Sequence, residues 1–72
     1  MVEIRLFANL REGREKVYKL EEDFSNGKEI IDYFKIPEED VAIFLINGMH
    51  SKLEDPVKDG DVVAIFPPIG GG

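Results

Sequence analysis

Apolar and polar residues alternate along Val2-Glu3-Ile4-Arg5-Leu6-Phe7, the period of a strand with one buried face. Val2, Ile4 and Leu6 then face inward, and Glu3, Arg5 and Phe7 outward. The stretch Leu10-Arg11-Glu12-Gly13-Arg14 is charged and carries a glycine, so it reads as a connection. Lys16-Val17-Tyr18-Lys19-Leu20 reads as a second short strand, with Tyr18 and Leu20 as its inward pair. So short a loop makes the two strands antiparallel neighbours.

Ser25-Asn26-Gly27 breaks the pattern and supplies capping oxygens. Asn26 and Glu29 have the spacing of a capping box, with Asn in place of the usual Ser or Thr. Ile30, Ile31 and Phe34 follow at helical spacing. Pro37 predicts the end of this helix, because the residue before a proline avoids helical geometry. Pro37-Glu38-Glu39-Asp40 reads as one further turn. Val41-Ala42-Ile43-Phe44-Leu45-Ile46 is almost wholly apolar and predicts a central strand, buried on one face and available to a partner on the other. Asn47-Gly48 is a strong hairpin signal, and Met49-His50-Ser51-Lys52-Leu53 returns as a short polar edge strand. Asp55-Pro56 and Lys58-Asp59-Gly60-Asp61 are turns. Val62-Val63-Ala64-Ile65-Phe66 is the last strand, stopped by Pro67 and Pro68. Two hairpins flanking one helix with a single apolar face predict a two-layer α+β domain.

Composition narrows the chemistry. The chain has 72 residues, one histidine and no cysteine. One domain of this size buries only about 60% of its unfolded surface, so its core is small. The absence of cysteine removes disulfides, thiol nucleophiles and redox pairs, and a lone histidine makes no zinc site, so no metal is expected. Fifteen acids against nine bases give a net charge of −6, which opposes nucleic-acid binding and suits a protein partner. No segment reaches the roughly 18 apolar residues of a membrane span, and the N-terminus reads as a strand rather than a signal peptide. A cytoplasmic location is expected.

The residues Leu6-Phe7-Ala8-Asn9-Leu10-Arg11-Glu12, Ile46-Asn47-Gly48, Leu53, Lys58-Asp59-Gly60-Asp61-Val62-Val63-Ala64 and Phe66-Pro67-Pro68-Ile69-Gly70-Gly71-Gly72 together resemble the MoaD/ThiS family. The resemblance spans essentially the whole chain, and Phe-Pro-Pro points to the branch of molybdopterin-synthase small subunits. It implies a ubiquitin-like β-grasp over residues 1–66, a mixed four-to-five-stranded sheet packed on one main helix. The first and last strands would lie parallel in the middle of that sheet. Residues 67–72 would be a flexible C-terminal Gly-Gly tail.

The same resemblance implies a sulfur carrier rather than an enzyme. An E1-like adenylating enzyme of the MoeB/ThiF kind would use ATP to activate the Gly72 carboxylate, and a persulfide protein would supply the sulfur. The resulting thiocarboxylate would enter the large subunit of molybdopterin synthase. No cofactor is expected on the carrier itself. Alternatives are a sulfur carrier for thiamine or tRNA thiolation, and a protein modifier joined to targets through Gly72. A plain interaction module is the third.

The residue types suit a threaded tail. Gly70, Gly71 and Gly72 have no side chain to clash in a narrow channel. Their ordering costs roughly 1–2 kcal/mol per residue. Pro67 and Pro68 offset part of this by fixing an extended path ahead of Ile69. Phe7, Phe66 and, if Phe44 and Ile46 face the core, Leu45 point outward as a docking patch. The alternative is a set of ordinary exposed apolar residues. His50 reads either as an interface residue or as an exposed hairpin residue without a role. Glu38, Glu39 and Asp40 read as a solvated acidic run.

Overall fold

Among the described residues, 1–68, the computed structural model has β1 (Val2–Leu6), β2 (Val17–Leu20), α1 (Gly27–Phe34), β3 (Ile43–Ile46), β4 (Met49–His50) and β5 (Val62–Phe66). Short 3-10 turns occupy Ala8–Arg11 and Glu38–Asp40. The strands form one mixed sheet in the order β2-β1-β5-β3-β4. β1 and β5 run parallel at its centre, with Ile4 beside Val63 and Leu6 beside Ile65. This is the ubiquitin-like β-grasp, and the parallel central pair is where the resemblance put it. The predicted thread, Ile69, Gly70, Gly71 and Gly72, lies outside the described residues.

Alternation decides which residues meet the helix. Val2, Ile4, Leu6, Val63 and Ile65 point to one side and are buried under Ile30, Ile31 and Phe34 of α1. Ile4, Leu6, Val63, Ile65 and Ile30 are fully enclosed, each contributing about 1.5–3 kcal/mol on burial. Tyr18 and Leu20 pack against this core from β2, as their parity requires.

The start of α1 shows a cap with one displacement. Asn26 Oδ1 accepts the Glu29 N–H at 3.1 Å. The Glu29 carboxylate returns to the N–H of Ser25 at 2.7 Å, one residue before the position a capping box uses. The N–H groups of Gly27 and Lys28 donate to the Leu53 carbonyl at 2.8 and 3.2 Å. The helix therefore starts against the segment after β4. Lys28 extends the attachment, with its amine 3.5 Å from Glu38 and 3.4 Å from Glu54. Hydrogen bonding to Glu54 and the charge of Glu38 hold that amine above its usual range. These groups are exposed, and water screens the gain.

Four expectations are corrected. The helix stops at Phe34, ahead of Pro37, because Lys35 turns left-handed at φ 59° and the Ile36 N–H closes onto the Ile31 carbonyl at 2.8 Å. This closure buries Ile36, a stop set by an apolar contact and αL geometry. The edge strand expected over 49–53 is only Met49–His50. Beyond it the chain leaves the sheet so that Leu53 can receive the helix N-terminus. β3 covers Ile43–Ile46 rather than 41–46, although the Ala42 N–H still reaches the Phe66 carbonyl at 2.8 Å. The connection after β1 is folded: Ala8–Arg11 makes a 3-10 turn and Leu10 enters the core.

The family-like motifs Asn47-Gly48 and Lys58-Asp59-Gly60-Asp61 are a structural latch. Asn47 and Gly48 both take positive φ, 53° and 81°, as a tight two-residue hairpin demands. The Asn47 side chain donates to Asp61 Oδ1 and accepts the Val62 N–H, each at 2.9 Å. Asp61 also accepts from the Lys58 N–H at 2.8 Å. One asparagine thus joins the β3–β4 hairpin to the start of β5.

Candidate functional site

β1 and β5 are parallel, so their C-terminal ends meet at the same end of the sheet. Leu6 stands beside Ile65, and the Phe7 N–H continues the ladder onto the Ile65 carbonyl at 3.2 Å. Phe7 and Phe66, next in each strand direction, both turn away from the helix. Their rings stack with centroids 4.1 Å apart and planes 11° from parallel. The outward orientation read from alternation is therefore what the structure shows for both.

β3 completes the surface. Its register sets Ile43 opposite Phe66 and Leu45 opposite Ala64. Phe44 is buried and Ile46 packs on the core, so Leu45 faces outward with Phe7 and Phe66. Ile43 shares that face and is 38% exposed, the most open of the group. It was not singled out from the sequence, yet the alternation that turned Leu45 outward applies to Ile43 as well. His50 is paired with Leu45 across the β3–β4 hairpin and is exposed at the rim.

The electrostatics at this surface differ from the net charge. Arg5 lies beside Ala64 on the outer face, with Nε 2.6 Å from Glu3 Oε2. The Arg11 guanidinium carbon sits 5.4 Å from the Phe7 ring centroid. Arg5 is therefore offset by Glu3, and Arg11 is the cation at the edge of the patch, so an acidic group in a partner would find its complement there although the molecule as a whole is acidic.

Pro67 and Pro68 follow Phe66 directly and end the ladder. Beside them is an open cleft of about 350 Å³, lined in part by Leu10, Arg14, Ile36, Asp40 and both prolines. Arg14 is already committed there, donating to the carbonyls of Leu10 at 3.1 Å and Phe34 at 2.9 Å. The cleft thus ties the 3-10 turn to the end of α1 at the base of the tail. Of the predicted site residues, the structure brings together Phe7, Leu45, Phe66, Pro67 and Pro68. Ile69, Gly70, Gly71 and Gly72 belong to the part not described. Among the described residues no group of three acidic or histidine side chains could hold a metal ion, and no helix is long and apolar enough to cross a membrane.

Comparison with known proteins gives the site a context. The profile described as the ThiS family matches residues 4–72. No curated protein matches the sequence. Among solved structures, a chain in a complex of subunits 1 and 2 of molybdopterin-converting factor from Helicobacter pylori is 27% identical. It aligns over 99% of this chain and 97% of that one, with a TM-score of 0.65. A Pyrococcus furiosus protein assigned as molybdopterin converting factor subunit 1 is 28% identical over 94% of this chain and 97% of that one, at a TM-score of 0.67. Small archaeal modifier protein 1 of Haloferax volcanii reaches a TM-score of 0.74 over 94% of this chain and 97% of that one, at 22% identity, a likeness of fold.

Proposed function

The chain belongs to the ThiS family, whose members are ubiquitin-like carriers or modifiers, and from that premise we propose that it carries sulfur on the carboxyl group of Gly72 for molybdopterin synthesis. The observation that carries the reading is the placement of the Phe7–Phe66 stack: a half-buried aromatic pair on the outer face of the sheet stands, in the chain, immediately before Pro67 and the terminal glycines. Docking on that pair points the thread into whatever site the partner holds beside it.

The chain acts as a co-substrate. A carboxylate is a poor acyl donor, so an E1-like enzyme joins it to the α-phosphorus of ATP and releases pyrophosphate. A persulfide sulfur then attacks the acyl carbon and displaces AMP. A thiol cleaves the resulting acyl disulfide, leaving the thiocarboxylate on Gly72 and a disulfide on the donor side. ATP is bound by the activating enzyme and the carrier holds no cofactor. The Helicobacter pylori protein assembles with a second subunit of molybdopterin-converting factor. We assign the same kind of large-subunit partner to the face bearing Phe7, Ile43, Leu45 and Phe66.

Intact mass of the protein isolated from its own host tests this reading. The expected species has one carboxylate oxygen replaced by sulfur. High-mass conjugates carrying a Gly72 isopeptide remnant would instead make the chain a modifier, and the absence of both species would remove the carrier assignment. Neighbouring genes for pterin, thiazole or tRNA-thiolation enzymes separate the sulfur pathways.

Phe66→Asp tests the docking face. Burying a carboxylate in the centre of an apolar interface costs a well-packed anchor, about 2 kcal/mol or more, which is roughly thirtyfold in Kd. The ring points away from the core, so the melting temperature should change little. Calorimetric titration against the activating enzyme measures the first quantity and a thermal melt the second. Global unfolding of this variant would mean that the ring supports the fold rather than a partner.

A further inference from the structure

Arg11 belongs to the motif Leu6-Phe7-Ala8-Asn9-Leu10-Arg11-Glu12, yet the carrier chemistry leaves it without a task. β1 ends at Leu6, and Ala8, at φ 55°, turns the chain left-handed into the 3-10 turn Ala8–Arg11. That turn carries Arg11 back over the end of the strand it has just left. Its Nε donates to the Leu6 carbonyl at 2.8 Å, and its guanidinium carbon lies 5.4 Å from the Phe7 centroid. Phe7 in turn lies on Phe66 at 4.1 Å. Rings that close leave no room for a guanidinium between them, so the cation meets Phe7 from outside the pair. Arg11, Phe7 and Phe66 therefore succeed one another in a chain of contacts.

A cation at the end of that pair reinforces it. Two parallel rings present their negative faces to each other, and an unassisted pair prefers offset or edge-on contact with centroids about 4.5–7 Å apart. A positive charge over the outer ring attracts its π density and so favours the closer, parallel approach seen here. The Phe66 backbone is held separately, by the Ala42 N–H on its carbonyl and by pairing with Ile43. What Arg11 governs is the ring.

We propose that Arg11 is a positioning residue: acting through Phe7, it holds the Phe66 ring in place and thereby fixes the shape of the docking face and the angle at which the carrier seats on a partner. The use of this clamp rests on the carrier reading above, whereas the clamp itself rests on the stack.

Four variants test it: Arg11→Leu, Arg11→Lys, Phe7→Leu, and Arg11→Leu combined with Phe7→Leu. In the isolated protein, Arg11→Leu should stay folded while the Phe66 ring protons move towards their unstacked NMR positions. With the host's activating enzyme, pyrophosphate exchange should show kcat lowered on the order of tenfold, because a misaimed tail loses near-attack geometry. KM should change less. Arg11→Lys keeps a cation near Phe7 and should recover part of kcat. The double variant should be no worse than Phe7→Leu alone, since Arg11 works through that ring. Phe66 resonances unmoved by Arg11→Leu would overturn the proposal. So would additive losses confined to KM, which would place Arg11 directly on the partner. If the unaltered chain is not adenylated at all, the carrier reading fails, and the Phe66 resonances still decide whether Arg11 holds the stack.

Discussion

A chain lacking Gly71 and Gly72 is expected to keep its melting temperature and to accept no sulfur. The two halves of that expectation come from different parts of the molecule. Stability resides in the sheet and helix, which end with β5 at Phe66. Among the described residues the buried side chains run no further than Ile65. The core built from them therefore should not respond to the loss of the last two residues. The chemistry responds fully. Each extended residue spans about 3.3–3.6 Å, so the shortened carboxylate stops roughly 7 Å short of its former position. Adenylation needs the attacking oxygen about 3–3.5 Å from phosphorus, and a misplacement of only about 1 Å can cost a hundredfold. Pyrophosphate exchange with the activating enzyme should fall below detection, while docking on the proposed face of Phe7, Ile43, Leu45 and Phe66 should persist in a binding titration. The shortened chain would then act as a competitive inhibitor of the intact carrier. Sulfur transfer surviving the deletion would remove the Gly72 carboxylate from the mechanism.

Much of the body up to Phe66 was legible in the sequence because its parts announce themselves by short-range patterns. Alternation in Val2–Leu6 put Phe7 outward without any knowledge of the sheet, and the same count from Val63 and Ile65 did so for Phe66. The Asn26 cap was visible as a spacing. What escaped were features that depend on contacts distant in the chain. Leu10 sits in a charged stretch, and its burial follows only from the left-handed turn at Ala8, a conformation that alanine gives no sign of adopting. Leu53 looked like the end of an edge strand. Its carbonyl is instead the acceptor for Gly27 and Lys28, a pairing no local pattern contains. Arg11 belongs to a family-like motif, but that its guanidinium returns over Phe7 becomes visible only when β1 and the turn after it are seen together. The Asn47–Asp61 latch shows the converse case, in which a motif that marks a family serves the fold.

Gly27→Ala is expected to destabilise the protein, although alanine is the better helix former. Gly27 is the first residue of α1, so the exchange would ordinarily be neutral or favourable by up to about 1 kcal/mol. Space decides otherwise. A methyl group at Gly27 would meet the Phe44 ring at 2.5, 2.9 and 3.0 Å, inside any contact real atoms accept. The ring is 5% exposed and enclosed by the core, so it has little room to retreat. Overpacking of this kind costs typically 1–3 kcal/mol, and each kcal/mol lowers Tm by about 4–8 °C in a domain of this size. Combining Gly27→Ala with Phe44→Leu should cost less than the sum of the two, because the shorter side chain vacates the space the methyl needs. Strict additivity, or a raised Tm for Gly27→Ala alone, would mean that the ring yields freely and that the spacing of helix and sheet is set elsewhere. The consequence reaches the docking face through one strand. Phe44 points inward from β3 between Ile43 and Leu45, and Ile43 is paired with Phe66. If the displaced ring pushes β3 outward, Gly27→Ala should weaken docking even well below its lowered Tm, and the double variant should restore it. The same double variant therefore separates a shifted strand from a merely less stable fold, since only the former links recovery of docking to relief of the Gly27–Phe44 contact.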